Sequence, residues 1–289
     1  MIVPLKQIIN KAERGKYAVG AFNTSNLEIT LAIIRAAVKL KSPVILQTSE
    51  SAIKYSSLPA LFGIMTNVAN TIGKSVPIAI HLDHGKDFKI IKDCIKIGYD
   101  SVHIDASSKN YSDNIKETKK VVNMSYKRRV WVQAELGAIL GAEGMIDLKK
   151  GKIKMKDTLT NPEQAYDFVN QTKVDTLAVA VGTIHGSFKG IEKVDQARLQ
   201  KINKLTKVPI VLHGGSGLSP TIFKTSIKNG VRIINIDTNL RIAFKKALQT
   251  SVNKKVSKID PRKILQPSTD AMQREVERII KIFGSKNKA

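Results

Sequence analysis

Ile78-Ala79-Ile80-His81-Leu82-Asp83-His84-Gly85, then Phe88, Ile91, Ile95 and Ile97, then Gly98, then Ser101-Val102-His103-Ile104-Asp105, is the stretch that decides the architecture. Its first part is an apolar, β-branched run of strand length, from Ile78 to Leu82, ending in acid and imidazole side chains. Its middle carries apolar residues at helical spacing and stops at a glycine, where a left-handed residue commonly ends a helix. Its last part is a second strand, Ser101–Asp105. Two strands joined through one helix run parallel, because an antiparallel return needs only a short turn.

The same unit recurs in both directions. Strand runs are predicted at Ala18–Asn23, Val44–Thr48, Val130–Glu135, Thr176–Val181, Ile210–Leu212 and Ile233–Ile236, with helical spacing between them, as in Leu27, Leu31, Ile34, Ala37 and Val38. Gly73 and Gly230, like Gly98, follow a periodic segment and precede a strand. Eight β/α units without a linker predict a single (β/α)8 barrel domain over 1–289. The competing doubly wound sheet lacks support from a Gly-x-Gly-x-x-Gly turn after the first strand. Residues Leu136–Thr160, with four glycines, form a long connection after the fifth strand, of the kind that carries function. A helical C-terminal extension is expected from about Thr269 to Phe283.

Composition narrows the class. The chain has 289 residues, 42% hydrophobic and 25% charged, within the range of folded globular proteins. No apolar run is long enough to span a membrane and no secretory leader is visible, so a cytoplasmic location is expected. Cys94 is the single cysteine, which excludes an intrachain disulfide and a multi-cysteine zinc site. The formal charge of +24 is spread along the chain, with clusters at Lys149–Lys156 and Lys245–Lys258 and little aromatic interleaving. It reads as a Lys-rich solvated surface or as a contact for polyanions such as nucleic acid.

Polar residues gather where the predicted strands end: Asn23, Ser49, Asp83, His84, Asp105, Glu135, His185, His213, Asn235 and Asp237. In a barrel those positions share the C-terminal face, where such enzymes build their sites. His84, His185 and His213 come from separate strand ends, and three imidazoles with an open fourth position suit a catalytic zinc. Gly186, Gly214 and Gly217 let backbone N–H groups approach an anion, and the last two strand ends are common phosphate positions in barrels.

Taken together, His81-Leu82-Asp83-His84-Gly85, Ala134-Glu135-Leu136-Gly137, His185-Gly186, His213-Gly214-Gly215-Ser216-Gly217 and Asn235-Ile236-Asp237-Thr238 resemble the class II fructose-bisphosphate aldolase family. The resemblance runs from Ala21-Phe22-Asn23 to Asp260-Pro261-Arg262. It implies that His84, His185 and His213 bind Zn2+ and that Asp83 exchanges a proton with the substrate C4 hydroxyl, or else only orients a ligand. It also implies that Glu143 moves a proton at the carbon released by cleavage, although the run Glu143-Gly144-Met145 lacks the further acids common in the family. Asp105 and Glu135 resemble a second metal position or hydrogen-bonding support for the ligands.

By the same resemblance, Gly186, Gly214, Ser216, Asp237 and Thr238 hold one phosphate, with Asn235 and Asn23 near the triose, Ser49 near its carbonyl and Lys189 adding charge. Arg262 clamps the other phosphate from a neighbouring subunit, implying a homodimer or higher homo-oligomer. A monovalent cation (Na+ or K+) is a further expected cofactor. The substrate implied is fructose 1,6-bisphosphate, split into dihydroxyacetone phosphate and glyceraldehyde 3-phosphate in glycolysis or gluconeogenesis, with tagatose 1,6-bisphosphate as the alternative. None of the eight strand ends presents a lysine for a Schiff base, which points independently to a metal as electron sink. His81 is expected beneath the ligands and His103 packed within its strand.

Overall fold

Asparagine, aspartate or serine side chains start most of the helices by accepting a first-turn N–H: Asn26 from Ile29, Asp87 from Lys89, Asn161 from Glu163, Asp195 from Arg198 and Ser219 from Ile222. The strands between are buried on both faces, as their near-continuous Val, Ile, Leu and Ala content requires. The computed structural model describes residues 1–141, 158–185, 194–253 and 259–289, with the backbone alone at Leu140, Gly141 and His185.

In chain order the elements are α1 (Leu5–Gly15), β1 (Val19–Asn23), α2 (Leu27–Leu40), β2 (Val44–Ser49), α3 (Glu50–Ser56), α4 (Leu58–Thr71), β3 (Ile78–Gly85), α5 (Phe88–Ile97), β4 (Ser101–Ile104) and α6 (Tyr111–Tyr126). They continue as β5 (Trp131–Leu136), β6 (Leu140–Gly141), α7 (Pro162–Thr172), β7 (Thr176–Val179), β8 (Ile184–His185), α8 (Gln196–Thr206) and β9 (Ile210–Leu212). Last come α9 (Pro220–Lys228), β10 (Val231–Ile236), α10 (Thr238–Asn253) and α11 (Pro261–Phe283).

Eight of these strands close a parallel barrel in the order β1-β10-β9-β7-β5-β4-β3-β2. Closure is made by β1, in which Ala21 pairs with Ile45 on one side and with Asn235 on the other. All eight expected strands are present. The pair β6 and β8, absent from the sequence reading, forms a separate two-stranded parallel sheet in which Gly141 faces His185.

Two apolar layers hold the barrel. Outside it, Phe22, Leu46, Ile80, Leu82, Val102 and Leu212 pack against the helices. Inside, Val19, Ala21, Ile45, Ala79, Ala178, Val211 and Ile233 meet Leu5, Ile8, Ile9 and Ala12 of α1, which plugs the N-terminal end. Because side chains alternate along a strand, the positions two and four residues on from these face the same interior. They read Asn23, Gln47, Ser49, His81, Asp83, His213, Asn235 and Asp237, so the interior changes from apolar to polar towards the C-terminal end.

The C-terminal helix begins earlier than expected, at Pro261 under an Asp260 cap, and carries Pro267 within it. It packs along α10 and α2, pairing Glu277 with Lys39 at 2.9 Å, and Phe283 meets Phe223 edge-on at 5.0 Å between centroids. Among the described residues no helix is long and apolar enough to cross a membrane. Gly98 and Gly230 are left-handed as expected, with φ of 117° and 106°. Gly73 is not, and it follows Ile72, the cap of α4, whose φ of −73° is still helical.

Candidate metal centre and active site

Asp83 and His84 end β3, the longest barrel strand, and both are buried. His84 adopts a φ of 47°, a left-handed conformation uncommon for a residue with a Cβ and costly unless the surroundings impose it. That twist is held at both ends of the residue. Its N–H donates to His103 Nδ1 at 3.2 Å, and its Nδ1 lies 2.9 Å from Asp105 Oδ2.

Across the barrel, His213 follows β9, with its Nδ1 3.0 Å from His84 Nε2. The two rings meet edge-on with centroids 4.7 Å apart. Gln133 Nε2 lies 2.9 Å from His213 Nε2. Gly214, next in sequence, has a φ of 64°, and a Cβ there would fall 2.8 Å from the carbonyl oxygen of Ile184. Only glycine tolerates both conditions, and the contact sets the His213 turn directly against β8, which carries His185. The His185 side chain lies outside the described residues, as do Glu143, Gly186 and Lys189.

The carboxylates are gathered around the same point. Asp83 accepts from Asn23 Nδ2 at 2.9 Å, from Asn235 Nδ2 at 3.1 Å and from Gln47 Nε2 at 3.3 Å. Asp105 accepts from Ser107 Oγ at 2.7 Å and lies 3.4 Å from Lys86 Nζ. Donor atoms of Asp83, His84, His103 and His213 all lie within 4.8 Å of one another, and so do those of His84, Asp105 and Glu135.

Electrostatics show which charge this cluster favours. Burial alone opposes a charged His84, yet Asp83, Asp105 and Glu135 outweigh it and raise its pKa to about 10. Burial raises Glu135 to about 8, with the repulsion of Asp105 adding to it. Burial would also raise Asp83, but the charge of His84 and the amide of Asn23 prevail and hold it below the ordinary carboxylate range. The three buried carboxylates favour positive charge on the imidazoles between them, and a divalent cation would supply that charge in place of protons. Nitrogen and oxygen donors of this kind suit zinc among other transition metals.

Other predicted residues take distinct places. Ser49 caps α3 and, with Asn23, Asp237 and Arg241, lines a cavity of about 380 Å3 at the C-terminal face. Ser216 is buried with its Oγ 3.4 Å from the Asn239 N–H, in the first turn of α10, beside Asp237 and Thr238. Arg262 stands apart: its side chain is 90% exposed and paired with Asp260 at 3.0 Å. No described hydrogen bond or ion pair links it to the cluster within its own chain.

The expectation for His103 needs correction. It is fully buried, but it faces the cluster, with ring centroids 5.0 Å from His84 and 5.2 Å from His213. Gln47 and Gln133 were also missed, and Lys86 follows β3 directly without belonging to it. Inward phase would have found the first three: each stands two residues before a predicted site residue, Gln47 before Ser49, His103 before Asp105 and Gln133 before Glu135.

Comparison with known proteins agrees with this arrangement. The family model for fructose-bisphosphate aldolase class-II matches residues 3–288. This chain belongs to the class II fructose-bisphosphate aldolase family. It is 40% identical over 289 residues to a fructose-bisphosphate aldolase of Geobacillus stearothermophilus, covering 100% of this chain and 99% of that one. A fructose-bisphosphate aldolase of Thermus caldophilus is 38% identical, with 100% of each chain covered. Among solved structures, the YdjI aldolase of Escherichia coli K12 superposes with a TM-score of 0.87 at 30% identity over 100% of both chains. The chain is therefore an aldolase, a carbon–carbon lyase.

Proposed function

We propose that this aldolase is zinc-dependent and reversibly cleaves fructose 1,6-bisphosphate to dihydroxyacetone phosphate and glyceraldehyde 3-phosphate, serving glycolysis or gluconeogenesis in the cytoplasm. The observation that carries this reading is the convergence of His84 and His213 from opposite sides of the barrel, with Asp83 beside them and the backbone of Ile184, the residue before His185, against the same turn. His84, His185 and His213 would hold the ion. When bound, it supplies a Lewis acid for the ketose oxygens.

The residues of the chain divide the remaining work. Asp83, kept ionised by its neighbours, takes the proton of the C4 hydroxyl as that carbon becomes an aldehyde. The electron pair of the C3–C4 bond stays on C3, and Glu143 returns a proton to that carbon. Asn23 and Asn235 donate to Asp83 and hold its two oxygens in place for the transfer. Asp105 and Glu135 orient His84 and offer a second metal position.

For the phosphates, Gly186, Gly214, Ser216, Asp237 and Thr238, with Lys189, would receive one group at the start of α10, where N–H groups and the helix dipole favour an anion. Ser49 would stand near the triose carbonyl, and Arg262 would clamp the other phosphate from a second copy of the chain, so that a homodimer or larger homo-oligomer completes the site. The monovalent cation, Na+ or K+, is tested by replacing both with tetramethylammonium.

The decisive experiment assays the purified protein with fructose and tagatose 1,6-bisphosphates before and after complete metal removal. Cleavage of the fructose sugar that vanishes on metal removal, returns with Zn2+ and is untouched by borohydride is expected. Full activity in metal-free protein would end the zinc reading, and faster turnover of tagatose bisphosphate would reassign the substrate.

A further inference from the structure

The fourth imidazole of the cluster has no role in the reading above. His103 Nδ1 accepts the N–H of His84 at 3.2 Å, and a backbone N–H can only donate. Nδ1 therefore carries the lone pair, and in a neutral ring the proton must reside on Nε2. That Nε2 is buried without a hydrogen-bond partner, and so is Oε2 of Glu135. The two lie 3.9 Å apart. One is a donor and the other an acceptor, and each is costly to leave unpaired in the barrel interior.

We infer that His103 is a positioning residue that fastens the backbone of His84 with one ring nitrogen and the carboxylate of Glu135 with the other, and that it is not a metal ligand. The inference rests on the metal-centre reading. A ring nitrogen bearing a proton cannot coordinate, so His103 is excluded from the ligand set despite its place among the donors. Closing the 3.9 Å gap takes about 1 Å of carboxylate movement, since such bonds measure about 2.7–2.9 Å when made. Glu135 is then left with one oxygen for a cation rather than two. Support of this kind around a metal commonly changes affinity by about 10–100-fold when removed.

The test uses the full chain with Zn2+ or Co2+ as the probe. In the 15N spectrum of histidine-labelled protein, which has five histidines, one imidazole absent from the His103→Leu spectrum should show a protonated Nε2 and a bare Nδ1, both metal-free and Zn2+-loaded. His103→Leu should weaken Co2+ binding at least tenfold, while X-ray absorption counts the same number of imidazoles on the metal. His103→Gln, which offers both an acceptor and an N–H, should recover most of the affinity.

A cycle with Glu135→Leu should be non-additive, the double variant binding Co2+ no more weakly than the poorer single variant. Loss of one imidazole from the Co2+ sphere in His103→Leu would make His103 a ligand and overturn the inference. Strictly multiplicative losses, or unchanged affinity in every variant, would also overturn it. Should His103→Leu fail to fold, the wild-type tautomer and the Gln variant still decide. If instead neither metal binds the wild-type cluster while the wild-type tautomer is as described, the zinc reading fails and the pairing of His103 with Glu135 stands.

Discussion

At Asp83 the geometry separates binding from chemistry. Asp83→Asn keeps the shape of the side chain and the neighbouring rings but removes the proton acceptor. It should lower kcat by about 10²–10⁴-fold, the usual worth of a placed acid or base, while Zn2+ affinity measured by competition changes little. Unaltered kcat would reduce Asp83 to an orienting residue.

A second residue, remote from the chemistry, tests the electrostatics of burial. Asp100 accepts the Ile80 N–H at 2.9 Å, and burial pushes its carboxyl from an ordinary 3.8 up to about 7. The folded state then binds a proton that the unfolded state releases, so the contribution is fully present below about pH 4 and is lost as pH rises through about 7. Asp100→Asn retains an oxygen for the Ile80 N–H and has no such loss. Denaturation curves should show the variant gaining roughly 1–3 kcal/mol on wild type between pH 4.5 and 8. A constant difference across that range would show that Asp100 titrates normally.

Among the elements, the helix ends show a recurring choice. Four helices, α1, α2, α7 and α8, end on lysines in the left-handed region: Lys16, Lys41, Lys173 and Lys207, with φ from 48° to 57°. Glycine suits that conformation better, but lysine there meets the negative end of the helix dipole. Since the left-handed strain costs a β-carbon residue about 1–2 kcal/mol and glycine adds unfolded-state entropy, Lys41→Gly and Lys173→Gly should each stabilise the fold by about 0.5–1 kcal/mol in urea titrations. A loss of stability would mean that the charge at the helix end outweighs the backbone strain. The opposite ends behave conventionally: Asn26→Ala removes the α2 cap and should cost about 1 kcal/mol.

The whole molecule carries a formal charge of +24, and the cations outnumber the acids two to one, 48 to 24. Like charges held on one compact surface repel more than on an unfolded chain. Raising salt from about 0.01 to about 0.5 M contracts the screening length from about 30 Å to under 10 Å and should raise Tm by about 2–4 °C. A Tm that falls with salt would show that attractive pairs, such as Lys39 with Glu277, dominate the surface balance instead.

The order of strands and helices, and the gathering of acids and imidazoles at strand ends, were set by the sequence alone, because both are written in local periodicity. Eight apolar runs, each ending in a polar word, are visible without knowing which run neighbours which. Closure through Ala21, the meeting of His84 with His213, and the β6–β8 pair depended on the tertiary structure, since they join residues far apart in the chain. The same holds for the rings that His103 meets: its type, its strand and, from Asp105 two residues on, its inward phase were readable, but its approach to His84 and His213 depended on the closed sheet. A one-residue change in that phase would exchange the two faces.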